Sequence, residues 1–205
     1  QFGRSVAATA DQIIVGAYYD DDNGSNSGSV YVYDTNDLTA QPTKLTAFDG
    51  ATDDRFGASV VATADKIIVG AYGDESFTGS VYVYDANNLS AQPTKLTAFD
   101  GADNDQFGTS VAATSDKIIV GAYGDDDNGS QAGSVYVYDA NDLSATPTKL
   151  TAFDGAATDF FGISVAATSD KIFVSAYGDE SFTGSVYVYD ANDLSAQPTK
   201  LTAFD

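Results

Sequence analysis

The dipeptide Phe-Gly occurs at Phe2-Gly3, Phe56-Gly57, Phe107-Gly108 and Phe161-Gly162, at spacings of 54, 51 and 54 residues. Most of the sequence between these points recurs with them. Self-similarity at this period marks one supersecondary unit repeated in tandem, and it constrains the fold more than any composition figure can. The 205 residues therefore read as a single domain, 1–205, of four units at about 1–52, 53–103, 104–157 and 158–205. Units one and three carry an Asp-Asp-Asp-Asn-Gly-Ser loop, and units two and four carry Gly-Asp-Glu-Ser-Phe-Thr-Gly. The order is A-B-A-B, a doubled pair.

Each unit holds four apolar segments bounded by turn residues. In unit two they are Ser59 to Thr63, Lys66 to Tyr72, Ser80 to Asp85 and Thr94 to Phe99. They are rich in Val, Ile, Tyr, Thr and Phe, which suit a pleated sheet. Ala64-Asp65 is short enough for a tight hairpin between the first two. Val-Tyr-Val-Tyr and Ile-Ile-Val-Gly-Ala-Tyr are apolar on both faces, so both faces of each small sheet need cover. Stacked four-stranded antiparallel sheets meet that need: an all-β protein of propeller-type blades, as a closed four-blade ring or part of a larger propeller or array. No 3.6-residue apolar period appears, so no helix is expected. The aromatics Tyr31, Tyr33, Phe48, Tyr82, Tyr84 and Phe99 read as inter-blade core; Phe77 and Phe182 in the short loops read as core packing or, alternatively, as contact residues for a partner or the neighbouring blade.

Every internal junction runs Phe-Asp-Gly-Ala, three variable residues ending in Asp, one residue, then Phe-Gly. The sequence begins at Gln1 and stops at Phe204-Asp205, inside the same connection. This reads as a processed or excerpted segment, a piece of a longer array or a ring opened at a junction.

Charge narrows the function classes. The net charge is −21, from 30 acidic and nine basic residues, and only Glu75 and Glu180 are glutamates. Nine scattered cations make no basic patch, which excludes nucleic acid and anionic membrane as partners. No apolar run approaches the ~18 residues of a membrane span. His and Cys are absent, which removes imidazole bases, ordinary zinc sites, thiolates and disulfides.

The residues Phe-Gly-x-Ser-Val-Ala, Asp-Lys-Ile-Ile-Val-Gly-Ala-Tyr-Gly-Asp, Gly-Ser-Val-Tyr-Val-Tyr and Lys-Leu-Thr-Ala-Phe-Asp-Gly-Ala together resemble the FG-GAP repeat family. These are the blades of integrin α-subunit heads and of many bacterial surface proteins, and the bacterial branch is the nearer likeness. The resemblance covers essentially the whole sequence. It implies a β-propeller, usually of seven blades, used for adhesion and protein contact outside the cell or at its surface. Family members that bind calcium place Asp-x-Asp-x-Asp-Gly between strands one and two. Here that connection is Thr-Ala-Asp-Gln in unit one and Thr-Ala-Asp-Lys or Thr-Ser-Asp-Lys in the others, so the family's site transfers to no residue of this chain.

A different loop offers oxygen ligands. Asp20 and Asp22 in unit one, and Asp125 and Asp127 in unit three, lie in Asp-rich turns that could supply calcium, against the plainer reading of solvated turns. The junction acids Asp49, Asp53 and Asp54, Asp100, Asp103 and Asp105, and Asp154 and Asp159 read as turn formers that bond nearby backbone N–H groups. Asn23, Asn88 and Asn128 head Asn-x-Ser triplets in loops and are glycosylation candidates. Carboxylate pairs that recur in every unit are unlike the unique pair of a glycosidase, and nothing activates a Ser or Thr nucleophile. The expectation is a non-catalytic extracellular structural or adhesive module that contacts itself or other surface proteins. The alternatives are a filament or surface-array subunit built head to tail, and a polysaccharide-binding or hydrolytic propeller.

Overall fold

The computed structural model describes residues 1–203; Phe204 and Asp205, the sequence's final junction residues, lie outside the described residues. Four four-stranded antiparallel meanders account for the chain. Blade 1 is β1 (Ser5–Ala8), β2 (Gln12–Ala17), β3 (Ser29–Asp34) and β4 (Thr43–Leu45). Blade 2 is β5 (Ser59–Ala62), β6 (Lys66–Ala71), β7 (Ser80–Asp85) and β8 (Thr94–Leu96). Blade 3 is β9 (Ser110–Ala113), β10 (Lys117–Ala122), β11 (Ser134–Asp139) and β12 (Thr148–Leu150). Blade 4 is β13 (Ser164–Ala167), β14 (Lys171–Ala176), β15 (Ser185–Asp190) and β16 (Thr199–Thr202).

The hairpin between first and second strands is a two-residue turn. In blade 2 the Thr63 N–H donates to the Lys66 carbonyl at 2.9 Å, and the Lys66 N–H donates to Thr63 Oγ1 at 3.1 Å. The strand ends differ slightly from expectation. In blade 2 the fourth strand stops at Leu96, because the Gly101 N–H turns back to the Ala98 carbonyl and leads Phe99 away from the sheet.

Two single turns, α1 (Asp74–Phe77) and α2 (Asp179–Phe182), replace the helix-free loops expected of blades 2 and 4. They arise from local tightness rather than from an amphipathic pattern. Glu75, Ser76 and Phe77 all sit at positive φ (48°, 61° and 65°), and the Gly79 N–H closes the turn on the Asp74 carbonyl at 2.9 Å.

The blades stack face to face with their first strands side by side, β1 by β5, β5 by β9 and β9 by β13. Each interface has one composition. Ile14, Val30, Val32 and Leu45 of blade 1 pack on Phe56, Ile67, Val69, Tyr82 and Tyr84 of blade 2, and the same positions meet at the next two interfaces. The three internal Phe-Gly phenylalanines, Phe56, Phe107 and Phe161, are 0% exposed.

The stack is open, so four blades do not make a closed ring. The expectation that both faces of every sheet are covered holds for blades 2 and 3 only. Blade 1 leaves Phe2 and Val6 exposed on its outer face, with Tyr31 and Tyr33 half-buried, and blade 4 leaves Leu201 exposed on its own. Phe48 and Phe99 are also exposed, contrary to a core reading. Each lays its edge against a buried tyrosine of the next blade (5.9 Å between centroids for Phe48–Tyr82 and for Phe99–Tyr136) and keeps its outer face in water. Phe182 is 64% exposed rather than core. Its counterpart Phe77 is half-buried beneath the Arg55 guanidinium, 5.1 Å from the ring centroid.

Candidate functional site

The chemistry-bearing residues gather at the joins between blades. At the join of blades 2 and 3, Lys149 Nζ lies 2.8 Å from Asp100, 2.8 Å from Asp125 and 2.6 Å from Asp127. The Tyr136 hydroxyl donates to Asp100 Oδ1 at 2.7 Å and sits 3.0 Å from Asp125 Oδ2. Asp100 belongs to the junction after blade 2, and the other residues belong to blade 3. The cluster is therefore a clamp across the join.

The clamp recurs. Lys95 holds Asp49 at 2.7 Å and Asp74 at 2.6 Å, with Tyr82 donating to Asp49 at 2.7 Å. Lys200 holds Asp154 at 2.8 Å and Asp179 at 2.6 Å, with Tyr187 donating to Asp154 at 2.7 Å. Blade 1 has the loop half of the arrangement: Lys44 pairs with Asp20 at 2.8 Å and with Asp22, while Ser29 and Tyr31 donate to Asp20 at 2.7 and 3.0 Å.

The register places these groups. The lysine lies directly across from the tyrosine, Tyr136 opposite Lys149 in blade 3, so both side chains project from one face at the sheet's outer edge. The loop between second and third strands brings its aspartates to the same point. Backbone bonds then tie that loop to the following junction: the Asp53, Arg55 and Phe56 N–H groups donate to the Ser25, Asn26 and Ser27 carbonyls at 2.8, 3.0 and 3.0 Å.

The two junction acids have opposite electrostatics. Burial works against charge on Asp49, but hydrogen bonds from Lys95 and Tyr82 outweigh it and hold the carboxyl below the usual range. Asp54 is pushed up to about 6, first by burial and further by the Asp74 and Asp49 charges, against an opposing bond from the Ala51 N–H at 2.6 Å. Asp105 and Asp159 are raised in the same way and bond the Ala102 and Ala156 N–H groups at 2.8 and 2.7 Å. These are the turn-forming bonds expected of the Asp two residues before Phe-Gly.

A raised carboxyl favours folding in acid. Its contribution is full below the unfolded value near 4 and is lost as pH rises through about 6. Asp54→Asn keeps an acceptor for the Ala51 N–H and removes the buried charge. It is expected to gain about 1–2 kcal/mol over the parent at pH 8 and nothing at pH 4. Urea unfolding of the two proteins at both pH values measures this.

The clamp is poorly suited to acid–base or nucleophilic work. Burial and adjacent carboxylates raise the phenols of Tyr82 and Tyr136 far above their ordinary value. Burial would lower Lys149, but Asp100, Asp125 and Asp127 more than offset it and keep the amine protonated. A protonated amine and an unionised phenol are neither bases nor nucleophiles at neutral pH.

The calcium candidates Asp20 and Asp22, and Asp125 and Asp127, are brought together in pairs, each pair around a lysine ammonium. Among the described residues no group of three or more His, Cys, Asp or Glu is arranged to hold a metal ion. The glycosylation candidates Asn23, Asn88 and Asn128 are all exposed. Sequence reasoning missed the clamp itself. Its signal was the lysine of each Thr-Lys-Leu strand recurring with the junction Asp and the third-strand Tyr.

Nor was a row of aromatic and long polar side chains at the Gly-Ala-Tyr ends of the second strands anticipated. Arg55 lies over Tyr72 at 5.2 Å, Tyr123 donates to Gln106 Oε1 at 2.6 Å, and Phe160 stacks on Tyr177 at 4.9 Å.

No helix among the described residues is long and apolar enough to cross a membrane. No curated protein matches the chain. The family model described as FG-GAP repeat matches four times, at residues 1–33, 39–84, 91–138 and 146–189. Each of the last three matches starts before the fourth strand of one blade and ends in or at the third strand of the next, so it spans a join. FG-GAP repeats generally occur in extracellular adhesive or propeller domains, and their fold is generally non-catalytic. With matches over most of its length, the chain belongs to the FG-GAP repeat family.

Proposed function

We propose that the chain is a non-catalytic extracellular module, structural and adhesive, whose partners are other surface proteins. The clamp carries this reading: the buried charged groups at each join are spent on holding neighbouring blades, which leaves the exposed acidic loops as contact surface. Beads coated with residues 1–205 are expected to adhere to cell-envelope material more strongly than beads coated with an unrelated protein of equal charge. Equal adhesion would overturn the reading. Exposed Asn23, Asn88 and Asn128 suit N-glycans, and intact mass after expression in a glycosylating host should show the added increments.

The aromatic row favours a second reading, polysaccharide binding, since half-buried rings beside Gln106 and Arg55 suit stacking on sugar rings. Binding on a glycan array would support it, and release of reducing ends would show hydrolysis. Calcium is a separate question. An ion at the Asp20 or Asp125 loop must displace a lysine ammonium that carboxylates hold at hydrogen-bond distance. Millimolar calcium is therefore expected to leave the thermal midpoint unchanged, and an upward shift would establish a loop site.

A further inference from the structure

Each internal join opens a depression at the end of the sheets opposite the lysine clamp and the aromatic row. The three measure about 340, 390 and 310 Å³, at the joins of blades 1 and 2, 2 and 3, and 3 and 4. Their makeup repeats. At the join of blades 2 and 3 the hairpin supplies Asp65 and Lys66, the end of the third strand Asp85, the turn after it Asn87, and the fourth strand Thr94. Leu143 of blade 3 forms the facing wall, half-buried against the core of the join. Leu89 and Leu194 do the same at the other two joins. Both walls of every depression come from blades within residues 1–203.

The fold does not consume all the polar groups on these rims. The Asn87 and Asn141 backbone N–H groups donate to Oδ1 of Asp85 and Asp139 at 2.8 Å and close the turn. That leaves the carboxamide of each exposed asparagine and the second carboxylate oxygen for a ligand, with the exposed Thr94 and Thr148 beside them. Lys66 and Lys117 are drawn to the aspartates next to them, at 2.6 and 3.2 Å. In blade 1 Gln12 stands in the lysine's place, and its Nε2 donates to the Ala86 carbonyl of blade 2 at 3.0 Å. Each depression therefore sets two carboxylates against at most one cation, which disfavours an anionic ligand.

A carboxylate oxygen, a carboxamide and a hydroxyl beside an apolar wall of Val83 and Leu143 complement a molecule that carries several hydroxyls and an apolar face of C–H groups. A neutral pyranose ring has that form. The volumes lie at the low end of the range for small-ligand pockets, roughly 300–1,000 Å³, which suits one ring rather than an extended chain. We propose that each join carries a subsite for one neutral sugar residue, so that the repeat holds a neutral polysaccharide at several points at once; this rests on the polysaccharide reading but sets the sugar at the joins rather than on the aromatic row. A single exposed rim of this kind holds one sugar weakly, and equivalent sites in a row turn weak contacts into avidity for a polymer.

The probes are polyacrylamides carrying glucosyl, galactosyl, mannosyl or N-acetylglucosaminyl groups, with a glucuronyl polymer as the anionic counterpart, read by biolayer interferometry on immobilised residues 1–205. At least one neutral polymer is expected to bind, at ~100-fold lower sugar concentration than the matching free methyl glycoside needs to compete, and the glucuronyl polymer is not. Asn36→Ala, Asn87→Ala and Asn141→Ala keep the backbone N–H that closes each turn. Each alone should weaken binding, and the triple variant should weaken it ~100-fold or more with a thermal midpoint near the parent's. Phe160→Ala, in the aromatic row, should leave it unchanged. The proposal is overturned if no neutral polymer binds, if the glucuronyl polymer binds equally, or if the triple variant binds like the parent. Binding lost in Phe160→Ala and kept in the triple variant overturns it too, while sustaining the polysaccharide reading with the aromatic row as its site.

Discussion

Gly121→Ser is expected to lower the free energy of unfolding by about 3 kcal/mol or more, while Ser175→Gly, at the equivalent position of blade 4, changes it by less than about 1 kcal/mol. The contrast isolates the cause. Both sites lie in the second strand, next to the same Ala of their blades. At Gly121 a Cβ meets the Gly162 carbonyl oxygen at 2.0 Å, with Ser110 Oγ at 2.4 Å. Relief requires blades 3 and 4 to part, which opens the packed cluster of Ile119, Val135, Phe161 and Tyr187. At Ser175 no other blade among the described residues packs on that face, and its hydroxyl bonds the Ser164 carbonyl at 3.2 Å within its own sheet. Equilibrium urea unfolding of both variants measures the difference. Equal effects would mean that the glycine is needed for strand geometry rather than for the approach of the next blade.

Lys149→Met should cost about 3 kcal/mol at pH 7, the largest effect expected from any surface-reaching side chain of this protein. The substitution preserves much of the apolar stem and removes the one cation among Asp100, Asp125 and Asp127. Asp125 is almost fully buried, so its charge is left uncompensated in a poorly solvated place. The loss has a pH signature. Without the ammonium the clustered carboxylates repel one another, and the variant recovers stability as acid relieves that repulsion. The parent behaves oppositely through Asp100, whose carboxyl is held low by Lys149 and Tyr136 against burial, and which loses stability as pH falls through that depressed value. Unfolding midpoints of the two proteins from pH 5 to 8 should converge toward the acid side. Parallel curves would show that packing, not charge, is what Lys149 contributes.

Much of the architecture is legible in the residue order. The Phe-Gly period marks the units, the apolar run on both faces of Val-Tyr-Val-Tyr demands stacked sheets, and Thr-Ala-Asp-Lys dictates a two-residue hairpin. Local rules suffice there, because strand alternation and turn chemistry act within a few residues. The candidate site was less legible. Asp100 and Lys149 lie 49 residues apart and meet only because stacking brings a junction beneath the edge of the next blade. The loop acids Asp20, Asp22, Asp125 and Asp127 read from the sequence as candidate oxygen ligands, and the spacing does not reveal that a lysine from the fourth strand reaches their turn.

The repeat by itself thus determined the fold class and the four blades within residues 1–205, because each follows from which residue types recur and at what spacing. Tertiary structure decided what the recurrent residues do. Phe56 is fully buried because Ile14, Val30, Val32 and Leu45 of blade 1 pack on it, a contact between residues more than ten positions apart that the sequence spacing does not show. Ser175 reads in the sequence as a minor departure from Gly-Ala. Only the 2.0 Å distance from a Cβ to the next carbonyl shows that Gly16, Gly70 and Gly121 admit no such change.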